Sequence, residues 1–407
     1  MNPIELETRY GAHNYAPLAV VLTRGEGAHL WDTAGRRYID MMSAYSAASL
    51  GHSHPRIVAA LTAQARRLAV PSRAYYNDRL GPFLAELCRL TGLDAVLPMN
   101  TGVEAVETAI KAARRWGYRV KGVPKDRAEI IVADGNFHGR TTTVISFSSE
   151  PDYRDGFGPF TPGFRRVPFG DIAALDHAMR PETVAVLIEP IQGEAGIIVP
   201  PAGWLGAVRR LCDDHQVLLI LDEVQSGLGR TGAWFAFEHE GVRPDGLILG
   251  KALGGGVLPV SAFVARAEVM DVFTPGSHGS TFGGNPLAAA VGLEALHVIR
   301  DEGLVQRSRA LGAHMLERLR AIKSPALKNV RGRGLWAGAE IDPRFASARE
   351  ACERLLAKGV LSKETHHTVV RLAPPLVIAR DDLDRALDCF EEVVRELERA
   401  PGQPAAA

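Results

Sequence analysis

Between about residues 55 and 295, unbroken apolar runs alternate with helical stretches. The runs are DAVLPM (94–99), EIIVAD (129–134), VAVLIEP (184–190), VLLILDE (217–223), GLILG (246–250) and VSAFVA (260–265). None alternates apolar with polar residues, so each predicts a strand covered on both faces. Helix-like segments such as VEAVETAIKAARRWG (103–117) and GWLGAVRRLCDDH (203–215) lie between them. Strand, helix, strand in this order constrains the chain to an α/β fold with a large, mostly parallel sheet flanked by helices, because parallel neighbours need a crossover connection.

A chain of 407 residues is too long for one ordinary core. The pattern predicts an N-terminal segment, 1–50, that joins a smaller α+β domain; a large domain, 51–295; the rest of the small domain, 296–399; and a disordered tail, APGQPAAA, at 400–407. Strands are expected within 18–42, with Gly25 and Gly35 at turns. After residue 286 one long helical pattern runs to about 322. RGRGLWAGAEI (331–341), a helix over 347–358, a strand at 369–374 and a last helix over 381–399 complete the order.

The 47 basic and 47 acidic residues cancel, which argues against nucleic acid or an anionic membrane as partner. No run reaches the ~20 apolar residues of a membrane helix, and MNPIELETRY lacks the apolar centre of a secretory signal. Cys88, Cys212, Cys352 and Cys389 show no C-x-x-C spacing, which fits a reducing cytoplasm rather than a disulfide scaffold or zinc site. His52 and His54 have no acid at ligand spacing, so no metal is expected.

The stretch LILGKALGGG (247–256) sets Lys251 beside an apolar strand end, a costly place for an ammonium unless its charge is used or paired. A triphosphate loop requires G-x-x-x-x-G-K-[ST]. Here the glycine spacing is one residue short and Ala252 replaces the hydroxyl. Gly332, Gly334 and Ala337 fit G-x-G-x-x-A, but they precede an apolar stretch instead of opening a helix, so a turn before a strand is the better reading. Open α/β sheets collect ligands at the carboxyl ends of their strands. An acid in LDEVQSG (221–227), a glycine-flanked helix start in MNTGVEAVETAIK (99–111), EPIQGEAG (189–196) and Lys251 all fall at such ends.

Together with YGAHNY (10–15), SAYSA (43–47), GHSHP (51–55), GNFHGRT (135–141), DGFGPF (155–160), HGSTFGGNP (278–286) and RLAPPLVI (371–378), these segments resemble the class-III pyridoxal-phosphate aminotransferases of fold type I. Within that class the chain is similar to the ornithine aminotransferase family over nearly its whole length. The resemblance implies pyridoxal 5′-phosphate (PLP) as cofactor and a homodimer or higher homo-oligomer with active sites at the dimer interface. It implies transfer of the terminal amine of ornithine to 2-oxoglutarate, with N-acetylornithine, 4-aminobutyrate or lysine as alternative donors.

The implied roles follow position by position. Lys251 matches the lysine that condenses with the cofactor aldehyde and shuttles a proton. Asp222, rather than its neighbour Glu223, matches the acid that pairs with the pyridine nitrogen, although Asp after a strand also suits a helix cap. Gln225 would reach the ring hydroxyl. Val224 and Phe137 would cover the two ring faces; taken singly, both read as core packing. His138 borders the cofactor where some family members have tryptophan. Thr101, Gly102 and Val103 would hold the phosphate at a helix start, and Thr101 would equally cap that helix without a ligand. Ser280 and Thr281 match residues that reach the phosphate from the neighbouring subunit; a hydroxyl-stabilised turn is the plainer alternative. Tyr15 and Tyr45 match residues of the ornithine pocket. Arg140 matches the distal carboxylate ligand, and Arg371 the ligand of the α-carboxylate of 2-oxoglutarate or glutamate. Glu194 matches the glutamate that pairs with that arginine while ornithine is bound and swings away in the other half-reaction.

Overall fold

The computed structural model describes residues 2–399. The tail expected at 400–407 lies outside the described residues. After a first helix, Pro3–Tyr10, comes an antiparallel meander of β1 (Leu22–Glu26), β2 (His29–Asp32) and β3 (Arg37–Asp40). Its first turn is at Gly27 (φ +56°), not at Gly25, which lies inside β1 opposite Leu30; Gly35 (φ +80°) makes the second turn as expected.

The central sheet contains β4 (Ala95–Met99), β5 (Glu129–Ala133), β6 (Phe164–Val167), β7 (Thr183–Ile188), β8 (Leu218–Asp222), β9 (Gly246–Leu249) and β10 (Ser261–Ala265). Its order is β4-β10-β9-β8-β7-β5-β6. β5 to β9 run parallel, and β10 is antiparallel to both its neighbours, β4 and β9. The six expected strands are all present, and β7 to β10 are buried throughout. The unanticipated strand is β6. FRRV pairs only with β5 at the sheet edge, where Arg165 reaches Glu129 at 2.8 Å, so it carries no apolar run.

The helical pattern after residue 286 is two helices, Pro286–Asp301 and Leu304–Ala321. Apolar spacing continues across the break, but Gly303 sits in the left-handed region (φ +60°) and ends the first helix. The last third adds β11 (Leu327–Gly332), β12 (Ala337–Ile341), β13 (Val360–Leu361), β14 (Lys363–Thr365) and β15 (Val369–Leu372). Gly332 and Gly334 belong to a hairpin turn between β11 and β12, as the order of glycines and apolar residues predicts. β13 pairs in parallel with β3, Val360 against Ile39 and Leu361 against Asp40, so the N-terminal strands and the C-terminal third share a sheet. Helices Ala348–Ala357 and Arg380–Arg399 pack together behind it. Among the described residues no helix is long and apolar enough to cross a membrane.

Candidate active site

β8 ends at Asp222 and β9 at Leu249, two residues before Lys251. The loop after β5 carries Phe137 and His138, and the loop after β7 carries Glu189 and Glu194. The helix Gly102–Trp116 starts just after β4. These parallel strands therefore deliver their loops to one edge. There a cavity of about 200 Å³ is lined by Lys251, Asp222, His138, Phe137, Val224 and Gln225, with Gly102, Val103 and Glu189 among the other walls.

Lys251 adopts a left-handed conformation (φ +47°), which is costly for a residue with a side chain and fixes where it leaves the strand. Desolvation pulls its pKa down to about 8, against the pull of Glu194, so the free amine is accessible near neutrality. Asp222 is buried; its Oδ2 lies 2.7 Å from His138 Nδ1, and its Oδ1 accepts from the Val224 amide at 3.0 Å. Burial works against a charge on His138, yet the Asp222 hydrogen bond and charge outweigh it and raise its pKa. His138 Nε2 is buried without a partner. Glu223 turns away to accept from the amides of Ala236 and Phe237 and from Ser226 Oγ, a purely local network.

In the sequence Glu189 stands out only as part of EPIQGEAG. It is buried, and its carboxylate accepts from the amides of Phe137 and Gly193, which ties the β5 and β7 loops together. Desolvation pushes its pKa up to about 7. Only the meeting of two distant loops reveals it; no local spacing does.

Beside the cavity, Arg371 is 1% exposed and pairs with Glu194 at 3.1 Å. Gln225 joins both: its Nε2 donates to Glu194 at 3.1 Å, and its Oε1 accepts from Arg371, also at 3.1 Å. Gly193 allows this closeness, since a Cβ there would lie 2.7 Å from Gln225 Nε2. Burial alone would raise the pKa of Glu194, but Arg371 and then Lys251 hold it below the ordinary value. The guanidinium of Arg371 lies 4.9 Å from the ring centre of Tyr45. Tyr45 belongs to a run of four left-handed non-glycine residues, Ser43 to Ser46 (φ +44° to +75°). Each costs about 1–2 kcal/mol over a right-handed residue.

Other expected residues lie further out. Arg140 is exposed, 3.6 Å from the ring centre of Tyr153, whose edge meets Phe137. Tyr15 is 82% exposed. Thr101 makes a capping box with Glu104. Ser280 Oγ accepts from Asn100 Nδ2 and the Gly283 amide, and Thr281 is exposed. Thr101, Ser280 and Thr281 are not walls of the cavity. Among the described residues, no group of three or more His, Cys, Asp or Glu side chains is arranged to hold a metal.

A family model described as aminotransferase class-III matches residues 10–394. The ornithine aminotransferase of Brevibacillus brevis is 55% identical over 395 residues, which is 97% of this chain and 98% of that protein. A solved ornithine aminotransferase from Toxoplasma gondii, described with partial occupancy of PLP at its active site, superposes with a TM-score of 0.96 at 45% identity, covering 97% of this chain and 94% of that one. An acetylornithine aminotransferase from Elizabethkingia anophelis gives a TM-score of 0.89 at 51% identity, covering 97% and 98%.

Proposed function

The chain belongs to the class-III aminotransferases, and on that premise we propose that it transfers the δ-amino group of L-ornithine to 2-oxoglutarate, giving L-glutamate 5-semialdehyde and L-glutamate in two half-reactions. The observation that carries this reading is the Glu194–Arg371 pair beside Lys251. A donor that presents a terminal amine gains nothing from a free arginine at that point, whereas 2-oxoglutarate presents a carboxylate there. A glutamate that covers the arginine for one substrate and leaves for the other lets one pocket serve both.

The residues fit PLP. The first amides of the helix at Gly102 and Val103 would suit its phosphate, and Asp222, His138, Phe137 and Val224 are all cavity walls, the first two bonded to each other. When bound, PLP supplies the aldehyde and a ring that stores the electron pair released from the substrate carbon. Lys251 Nζ would take the proton from that carbon and deliver it to the carbon that bears the cofactor's aldehyde, so that the amine stays with the cofactor. The Asp222 carboxylate would favour a proton on the ring nitrogen, and Gln225, a wall of the same cavity, would bond the ring hydroxyl. Arg140 holds the distal carboxylate, Tyr15 and Tyr45 line the donor pocket, and Arg371 receives the α-carboxylate of 2-oxoglutarate. Ser280 and Thr281 would reach the phosphate bound by a second copy, beside that copy's helix start at Thr101, and the working unit would then be a homodimer. The reaction is placed in the cytoplasm, in proline supply or arginine breakdown, and the chain is divided at about residues 50 and 295.

The deciding assay measures semialdehyde from ornithine and 2-oxoglutarate beside N-acetylornithine and 4-aminobutyrate. N-acetylornithine is the second reading, favoured by the solved acetylornithine enzyme at 51% identity; a higher kcat/KM for it, or for 4-aminobutyrate, overturns ornithine.

Glu194→Ala should slow the ornithine half-reaction about tenfold and leave the glutamate half within about threefold, the scale of one hydrogen bond to a charged group. Single-turnover rates check this, and equal loss in both halves removes the switch. Because the pKa of Lys251 is lowered, its free base predominates above about 8. The rate of PLP uptake by cofactor-stripped protein should therefore climb between pH 7 and pH 9 and then level off; a flat profile contradicts the role of the amine.

A further inference from the structure

Arg230 is 0% exposed, yet its hydrogen bonds all go to neutral oxygens. Nη1 donates to the carbonyls of Leu335 (2.9 Å) and Pro374 (2.6 Å). Nη2 donates to the hydroxyls of Ser43 (3.0 Å) and Ser49 (2.8 Å). Both serines pass the interaction on, Ser43 to the Ala373 carbonyl and Ser49 to the Ser46 carbonyl, each at 2.7 Å. Nε has no partner, and burial disfavours the charged form of the group. Asp40 is near enough to favour the charge but makes no hydrogen bond to it; a buried cation without a bonded carboxylate is a poor stabilising device by itself, so its placement calls for another purpose.

What these bonds surround is the left-handed run Ser43–Ser46, which carries Tyr45. The second carbonyl pair, Ala373 and Pro374, follows β15, which carries Arg371. Asp40 secures the entry to the turn by accepting from the amides of Met42 and Ser43 at 2.8 and 2.9 Å. The turn and the segment after Arg371 also meet directly, through Ser43 Oγ on the Ala373 carbonyl and the Ala373 and Leu376 amides on the carbonyls of Met41 and Ser49, each at 2.7 Å; Arg230 adds a charged side chain that bonds to both at once.

We propose that Arg230 is a positioning residue for substrate recognition: it clamps the strained Ser43–Ser46 turn to the strand of Arg371 and so holds Tyr45 over the Arg371 guanidinium. The assignment rests on the reading of Tyr45 and Arg371 as substrate residues. Loosening the clamp frees Tyr45 without touching Lys251 or Asp222, so binding suffers and the proton transfer does not.

The test compares the holoenzyme with its Arg230→Met and Arg230→Lys variants by amide exchange and by steady-state kinetics with whichever amine donor the wild type prefers. Arg230→Met should speed exchange over residues 43–49 and raise KM for donor and 2-oxoglutarate about tenfold, with kcat within about threefold and the bound-cofactor absorbance kept. Arg230→Lys should recover part of the KM. If Arg230→Met fails to fold, Ser43→Ala combined with Ser49→Ala removes two of the four acceptors and carries the same expectation. Faster exchange with unchanged KM, or kcat and KM worsening together with loss of cofactor absorbance, overturns the proposal. The exchange result stands whether or not ornithine proves to be the donor, so failure of the clamp and failure of the ornithine reading are separate outcomes.

Discussion

Lys251→Ala should lower both half-reactions by roughly 10²–10⁴-fold, the range for losing a positioned proton carrier. The same change should abolish capture of PLP on the chain. Borohydride reduction of the wild-type holoenzyme, followed by peptide mass analysis, is expected to find the pyridoxyl group on the Lys251 peptide; in the variant no peptide should carry it. Folding should survive. Burial disfavours the ammonium and brings its pKa down to about 8, so below that pH the native state bears a penalty that the unfolded chain escapes. Alanine removes it, and the penalty fades in the wild type as pH rises above about 8 toward the ordinary lysine value. The expected variant is thus folded, colourless and slow, with no lower denaturation midpoint at neutral pH. Added methylamine, a mobile stand-in for the missing amine, should restore part of the rate. Retention of full activity, or pyridoxyl found on another lysine, would displace Lys251 from its role.

Much of this is legible in the sequence, for physical reasons that also explain what is not. β7 to β10 are covered on both faces, so their residues have to be apolar without interruption. β6 lies at the edge and needs no such run, and FRRV therefore carries no strand signal. Helical spacing cannot report a break when the stripe continues across it; only the φ of Gly303 does. In β1, either Gly25 or Gly27 suits a turn by composition, and pairing with β2 decides between them. At the site, Asp222 and Lys251 are conspicuous because acids and lysines are rare at the ends of buried strands. Glu189 and Arg230 are also buried, but their partners come from segments distant in sequence, so spacing says nothing of them. The run SAYS contains no glycine, and nothing in it announces four left-handed residues.

Arg371→Met should be the most selective of the large changes. Methionine roughly keeps the volume of the buried stem but removes the charge, so Glu194, Gln225 Oε1 and the Gly193 carbonyl each lose a donor. Breaking one side of a buried, hydrogen-bonded charge pair costs about 3–5 kcal/mol. Glu194 keeps 22% of its side chain accessible, so water recovers part of that loss and the lower end of the range applies to stability. Catalysis is less forgiving. If Arg371 receives the α-carboxylate of 2-oxoglutarate, kcat/KM for that substrate should fall by about 10²–10³-fold, equivalent to about 3–4 kcal/mol of a bidentate charged contact. On the same reading ornithine makes no use of that charge, so its half-reaction should fall by no more than about tenfold, through the disturbed Glu194. Adding Glu194→Gln to Arg371→Met tests the coupling. With both charges gone the stranded carboxylate disappears, and the denaturation midpoint should recover most of its loss while 2-oxoglutarate turnover stays low. If the double variant regained 2-oxoglutarate turnover, or if Arg371→Met slowed both halves alike, Arg371 would be a scaffold residue and the substrate switch would have to lie elsewhere.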